Sequence, residues 1–374
     1  MLSTPTGTHA SAGGRVAALD GLRALSILMV LWSHAPRTAG FPRGGFFTLA
    51  PLGDLGNLGV RIFFVISGYL ITSLMVDEIA RTGRVDLRAF YLRRVLRIFP
   101  AFYVYLAVIG VVAMFGVVPL ALGDLLLAAT YTVNFQPLRA WHVGHIWSLS
   151  VEEQFYLLWP AVLSAVGLVK GMRVAVAVLL AAPLCRLGIW FFLPSDRAMI
   201  GEAFPTIADA LAVGCLLAAA RGVLDRAPRY QAALRSPAFV IVPVVALAIN
   251  AEAAHARAFL SVGESVLDVC IAIAVDRVVR CPDAISTRLL ASAPAVFIGK
   301  RSYSLYLWQQ PFFDHAAPSF FTTFPQNVGL CAIAAMASYH LVELPFLGLR
   351  HRFGLGAQRR SEGARVPAPA PPTG

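Results

Sequence analysis

Ten stretches of this sequence, near 17–36, 53–75, 98–118, 147–169, 172–192, 206–221, 237–253, 257–279, 297–315 and 326–345, are mostly apolar over the length a bilayer demands. About 20 apolar residues in a helix cross a hydrocarbon core about 30 Å thick. Lipid offers no partner for a backbone amide, so each stretch must satisfy its own hydrogen bonds, as a helix does. Composition removes the soluble alternative. Only 14% of the 374 residues are charged and 58% are hydrophobic, against roughly 25% charged in soluble domains, too few to wet the surfaces of two such domains. The expected fold is all-α, a polytopic membrane helical bundle with about ten transmembrane helices. An eleventh run, 121–135, is shorter and flanked by Pro119, Asp124 and Asn134, and reads as a segment that dips into the membrane or lies on it.

The charges orient the bundle. Lys170 and Lys300 are the two lysines, and arginine supplies the rest of a net charge of +11. Arg81, Arg84, Arg88, Arg93, Arg94 and Arg97 crowd the loop after the second run. Further arginines follow at 221–235, 277–288 and 350–360, while the alternate loops 37–52 and 193–205 carry few. The positive-inside rule then places both termini in the cytoplasm, provided 121–135 does not cross. This topological pattern also accounts for the basic excess without nucleic acid. Residues 1–16 are expected as a cytoplasmic N-terminal segment, 17–349 as the transmembrane domain and 350–374, rich in Pro, Ala and Arg, as a disordered cytoplasmic tail. Asp20, Arg23 and His34 interrupt the first run, which argues against a cleaved leader. The five cysteines form no CxxC pair, and His142 and His145 have no further ligands at metal spacing, so neither a disulfide framework nor a metal is expected.

Ionisable side chains inside spans are costly and mark function. Arg23 and His34 lie 11 residues apart, close to three turns, so they share a helix face about 16 Å apart along the axis. On an outward-going first helix, Arg23 sits near the cytoplasm and His34 past the midplane. Arg61 on the returning helix, and Glu152 and Glu153 on the helix starting near Trp147, are expected at about the depth of His34. A carboxylate there would orient the imidazole as a general base. At the cytoplasmic end Arg93, Arg94 and Arg97 gather beside Arg23, and guanidinium groups suit phosphate. A donor with phosphates at one end and a thioester on a long arm, acyl-coenzyme A, matches this arrangement. Tyr303, Tyr306, Trp308 and Gln309 share one helix and are candidates to line a sugar site, as is Trp147. A rival reading is a transporter of polysaccharide or another polar solute, with Glu264, Asp268 and Asp276 spaced along one helix as a proton relay.

Five segments carry a resemblance to a known family: LDGLRALSILMVLWSH (19–34), GVRIFFVISGYLIT (59–72), FYLRRVLRIFP (90–100), HIWSLSVEEQFYLLWP (145–160) and IGKRSYSLYLWQQP (298–311), with a weaker sixth, SYHLVELPF (338–346). In this order along nearly the whole chain they resemble the acyltransferase 3 family of integral membrane O-acyltransferases. The resemblance implies ten spans in a bacterial plasma membrane and transfer of an acyl group, usually acetyl, from cytoplasmic acyl-coenzyme A to a hydroxyl of a carbohydrate, glycolipid or small glycoside. It marks Arg23 and His34 as the signature pair, Arg94 and Arg97 as a paired motif, and Glu152 or Glu153 as part of the site. Arg61 stands where the family often has aspartate, Gln309 where many members have histidine, and Ile207 where arginine is frequent. No hydrolase-like domain follows the last span, so the membrane part is expected to bind its acceptor alone or with a separate partner.

Overall fold

The structure, a computed structural model, describes residues 12–44, 52–252 and 259–352. Residues 1–11 and 353–374, which hold most of the expected N-terminal segment and tail, lie outside the described residues. Every regular element among the described residues is a helix. The first half contains α1 (Ala12–His34), α2 (Leu55–Thr82), α3 (Leu87–Met114), α4 (Leu122–Ala129), α5 (Trp141–Gly144), α6 (Ile146–Phe192) and α7 (Phe204–Ala219). The second contains α8 (Arg221–Leu224), α9 (Pro228–Arg235), α10 (Ile241–Glu252), α11 (Phe259–Arg280), α12 (Ile285–Leu290), α13 (Ala293–Lys300), α14 (Ser302–Phe312), α15 (Gln326–Ser338) and α16 (Leu344–Arg352).

Local chemistry sets several boundaries. The Asp54 carboxylate accepts the Asn57 N–H at 3.1 Å and caps α2, and Asp86 does the same for α3 through the Ala89 N–H at 2.9 Å. Such caps contribute about 1 kcal/mol each. Gly83 ends α2 with φ 76°, the left-handed conformation that suits glycine. Helix α6 has 47 residues and would reach roughly 70 Å if straight, more than twice the hydrocarbon core. It is broken at Gly167, with φ 77° and ψ 170°. A Cβ on Gly171 would lie 2.4 Å from Leu163 Cδ2 and 4.0 Å from the Trp159 ring, although a straight helix would separate these positions by roughly 12 and 18 Å along its axis. The helix therefore turns back on itself, with arms 146–166 and 168–192 over the stretches expected as two spans.

By length and apolar character, five helical stretches among the described residues are able to cross a membrane: Leu55–Thr82, Leu87–Met114, Trp141–Phe192, Pro194–Ala219 and Gln326–Leu349. A sixth is added if Pro228–Arg235 and Pro237–Glu252, bent by 74°, count together. The chain is thus an all-helical, multi-span protein, but this count falls short of the expected ten. Part of the difference is the α6 hairpin, which joins two expected spans. Another part is Arg301, where α13 ends and α14 begins within the expected span 297–315. The run 121–135 forms only the eight-residue α4 and a 3-10 turn, too short to cross.

Helices α2 and α7 bury most of their apolar surface, whereas α3, the α6 hairpin and α15 expose most of theirs. Val111, Leu157, Leu184 and Ile333 are among the exposed aliphatic side chains, as a lipid-facing perimeter requires. At the centre, α2, α6, α7 and α11 are tied by buried charges. Arg61 donates through one terminal nitrogen to both Asp268 oxygens at 3.0 and 2.9 Å, through Nε to Asn57 Oδ1 at 3.0 Å, and also bonds Glu264. Arg186 pairs with Asp209 at 2.9 Å and with Glu264 at 3.3 Å. Charges removed from water persist only when paired and hydrogen-bonded in this way.

Candidate active site

Two cavities are lined by residues of the same four helices, α1, α2, α6 and α14. One is lined by Arg23, Arg94 and Arg97 together with Glu152, Glu153 and Tyr303. The other is lined by His34, Asp54, Asn57, Arg139, Trp141 and Trp147. Helix α1 supplies Arg23 to the first and Val30, Ser33 and His34 to the second; α2 supplies Ser67 to the first and Gly56 and Asn57 to the second. Helix α6 gives Glu152 and Trp147 respectively, and α14 gives Tyr303 and Gln310. Among the described lining residues only Val60 and Tyr306 belong to both.

In the histidine cavity, His34 is the last residue of α1. Its Nδ1 is 2.9 Å from Gln309 Oε1, and the Trp141 indole packs edge-on at 5.5 Å. With an amide oxygen as partner, Nδ1 carries the proton and donates it, which leaves the Nε2 lone pair available to accept one. Trp141 is itself held by its Nε1–H, which donates to the Gln310 carbonyl at 2.9 Å. Arg139 bridges the rim, donating to the Gln136 and Gly144 carbonyls at 2.8 and 3.0 Å and pairing with Glu202 at 2.7 Å.

In the arginine cavity, the Ser67 and Tyr156 hydroxyls both hydrogen-bond Glu152 Oε1. The Arg94 guanidinium lies 4.1 Å above the Tyr156 ring, a cation–π contact. Arg23 pairs with Asp20 at 3.8 Å. Tyr303 donates to the Ile98 carbonyl at 2.9 Å, joining α14 to the α3 helix that carries the arginines.

Several expected residues are redistributed. Glu152 and Glu153 line the arginine cavity, and the hydrogen-bond partner of the imidazole is Gln309 instead of a carboxylate. Arg61 lines neither cavity, because its guanidinium turns to Asp268 and Glu264; it reaches the histidine cavity only through Asn57. Arg93 and Trp308 line neither, and Trp308 packs edge-on against Tyr105 at 5.3 Å. The acids of the relay reading are paired with arginines: Glu264 and Asp268 as above, and Asp276 with Arg280 at 2.7 Å. His142 lies 3.6 Å from Asp314, and His145 Nε2 is 3.1 Å from the Leu307 carbonyl. Asp54, Arg139, Trp141 and Glu202 were missed because they sit in or beside the loops between apolar runs, whereas Gln310 lies within the run 297–315 beside Gln309. The sole signal there was a cluster of polar and aromatic residues at 139–145.

Residues 16–339 match the profile of a family described as an acyltransferase domain. Among curated relatives, the peptidoglycan O-acetyltransferase OatA of Listeria monocytogenes is 26% identical over 358 aligned positions, covering 88% of this chain and 54% of the relative. The O-acetyltransferase OatA of Staphylococcus aureus is 29% identical over 365 positions, covering 87% and 56%. The putative O-acetyltransferase SACOL0978 of S. aureus is 28% identical over 361 positions, covering 88% and 56%. The chain therefore spans about half the length of these relatives. No solved structure matches it. A family profile running across the helices that build both cavities, together with relatives named for O-acetyl transfer, establishes that the chain belongs to the acyltransferase 3 family of integral membrane O-acyltransferases.

Proposed function

We propose that the chain moves an acyl group, acetyl first among candidates, from cytoplasmic acyl-coenzyme A to a hydroxyl of a carbohydrate, glycolipid or small glycoside. The observation that carries this reading is the pair of cavities that share Val60 and Tyr306, one lined by Arg23, Arg94 and Arg97 and the other by His34; we read them as the two ends of one shaft. Arg23, Arg94 and Arg97 receive the phosphates of the donor, whose thin arm carries the thioester along the shaft toward His34. Glu152 holds Tyr156, the ring on which Arg94 rests, and so belongs to the donor end. The acceptor enters the histidine cavity, where Trp141 and Trp147 offer apolar faces and Asp54, Asn57 and Gln310 offer polar contacts to a sugar. The His34 Nε2 lone pair takes the hydroxyl proton as that oxygen attacks the thioester carbonyl. The carbon–sulfur bond then breaks, and the departing sulfur recovers the proton from the imidazolium. The names of the relatives support acetyl as the group transferred.

The topology that serves this chemistry has ten crossings in a bacterial plasma membrane, with both termini in the cytoplasm. The two arms of α6 count separately, and α1, α11 and the α13–α14 pair each count as one. The test is thiol release from acetyl-coenzyme A by purified protein in lipid, with a membrane extract of the native host as acceptor pool. Wild type should release thiol and His34→Ala should not, while both remain inserted and bind coenzyme A. An active His34→Ala variant refutes the assignment of the base, and a wild type that neither binds coenzyme A nor releases thiol refutes the acyltransferase reading.

A further inference from the structure

We infer that Val60 and Tyr306 form an acyl-length filter between the two cavities, an inference that rests on the donor route proposed above. These residues alone line both cavities, so a thioester passing from the arginines to His34 must cross the plane they define. The side chains at that plane are closely packed, with Val60 only 5% and Tyr306 6% exposed. The plane is also braced at both residues. The Tyr306 hydroxyl donates to the His145 carbonyl at 2.9 Å and lies 2.6 Å from Ser148 Oγ, which fixes the ring to the start of α6. On α2, the backbone beside Val60 is pressed against α1, since a Cβ on Gly59 would lie 2.6 Å from the Ser26 carbonyl oxygen. Neither wall has room to retreat without breaking hydrogen bonds or separating two helices.

The acyl group is the leading end of the donor, so it meets this constriction first. An acetyl group presents one methyl, and each further methylene has to displace the valine side chain or the tethered ring. Close-packed interiors accommodate such additions poorly, and a single methylene in an apolar site commonly changes turnover by about 10- to 200-fold. The filter thus selects short acyl groups by shape, and both side chains tune it.

The experiment compares acetyl-, butyryl- and hexanoyl-coenzyme A as donors for wild type, Val60→Ala, Val60→Phe and Tyr306→Phe in lipid, read as the ratio of kcat/KM between donors. Wild type should favour acetyl over butyryl by about tenfold or more. Val60→Ala should lower that ratio roughly tenfold, because it removes the methyls that narrow the passage. Tyr306→Phe keeps the ring but frees it from its tethers, and should lower the ratio by about fivefold, the value of one hydrogen bond. Val60→Phe should stop release from all three donors while coenzyme A still binds, since the arginine end is untouched. An unchanged donor ratio in Val60→Ala overturns the filter and leaves the acyltransferase reading standing, provided release still requires His34. Loss of all release in Val60→Ala also counts against the filter, because widening a passage should not close it. If wild type releases thiol from no donor, the acyltransferase reading fails and the filter falls with it.

Discussion

Gln309→Leu removes one contact from the bundle, the 2.9 Å hydrogen bond between the amide oxygen and His34 Nδ1, while keeping most of the side-chain volume. The rate penalty can be worked from that contact. A neutral buried hydrogen bond is worth about 1 kcal/mol, or roughly a fivefold factor if it is needed to hold the ring in its reactive orientation. Without the amide, the neutral imidazole divides between two tautomers and only one exposes a lone pair at Nε2, which adds a factor of about 2. The product is a loss of about tenfold in kcat. Removing the base itself, in His34→Ala, should cost about 10²- to 10⁴-fold. Gln309→Glu retains an acceptor oxygen near the same place and should recover more activity than Gln309→Leu. The assay is initial-rate thiol release from acetyl-coenzyme A by protein in lipid, with the double variant His34→Ala/Gln309→Leu included. Residues that act through one another are not additive, so the double variant should be no slower than His34→Ala alone. A further tenfold drop in the double variant would show that Gln309 acts on something other than His34. A single variant within twofold of wild type would refute the orienting role.

The buried ion network and the donor end give two further expectations. Asp268→Ala strips Arg61 of both contacts from one terminal nitrogen and leaves Glu264 as its remaining carboxylate, at a guanidinium that is 1% exposed; breaking a buried pair costs about 3–5 kcal/mol. Asp276→Ala affects Arg280, which is 13% exposed and keeps Asp225, so thermal unfolding in lipid should show the smaller loss there, and equal losses would contradict this account. Arg94→Gln and Arg97→Gln should each raise the KM for acetyl-coenzyme A by about tenfold or more, the value of a charged hydrogen bond, with little change in kcat. A fall in kcat at constant KM, in initial rates over a donor series, would place these arginines at the reaction and not at binding.

The separation between the readable and the unreadable parts of this site follows helix geometry. Depth along one helix is legible, since a fixed rise per residue puts Arg23 and His34 on one face about 16 Å apart, and they do occupy opposite cavities. The offset between helices is not legible. Glu152 was expected level with His34, yet it lies well over a turn beyond Trp147 on α6 and lines the other cavity. That offset is set by how α6 packs on α2 and α14. Rotation is equally hidden: Val60 faces the shaft, and Arg61, one residue on and about 100° around the helix, faces Asp268 on α11. Nothing local in the sequence identifies which of the two points inward.

Residue type and spacing within single segments were enough for the helices, their apolar surroundings, the family and the separation of Arg23 from His34 along one helix. Tertiary packing supplied the rest: the pairing of Gln309 with His34 across 275 positions, the diversion of Arg61 into a buried ion network across more than 200, and the shared lining of the two cavities by Val60 and Tyr306. These are contacts between helices, fixed by the rotation and axial offset that close packing and the satisfaction of buried charges impose.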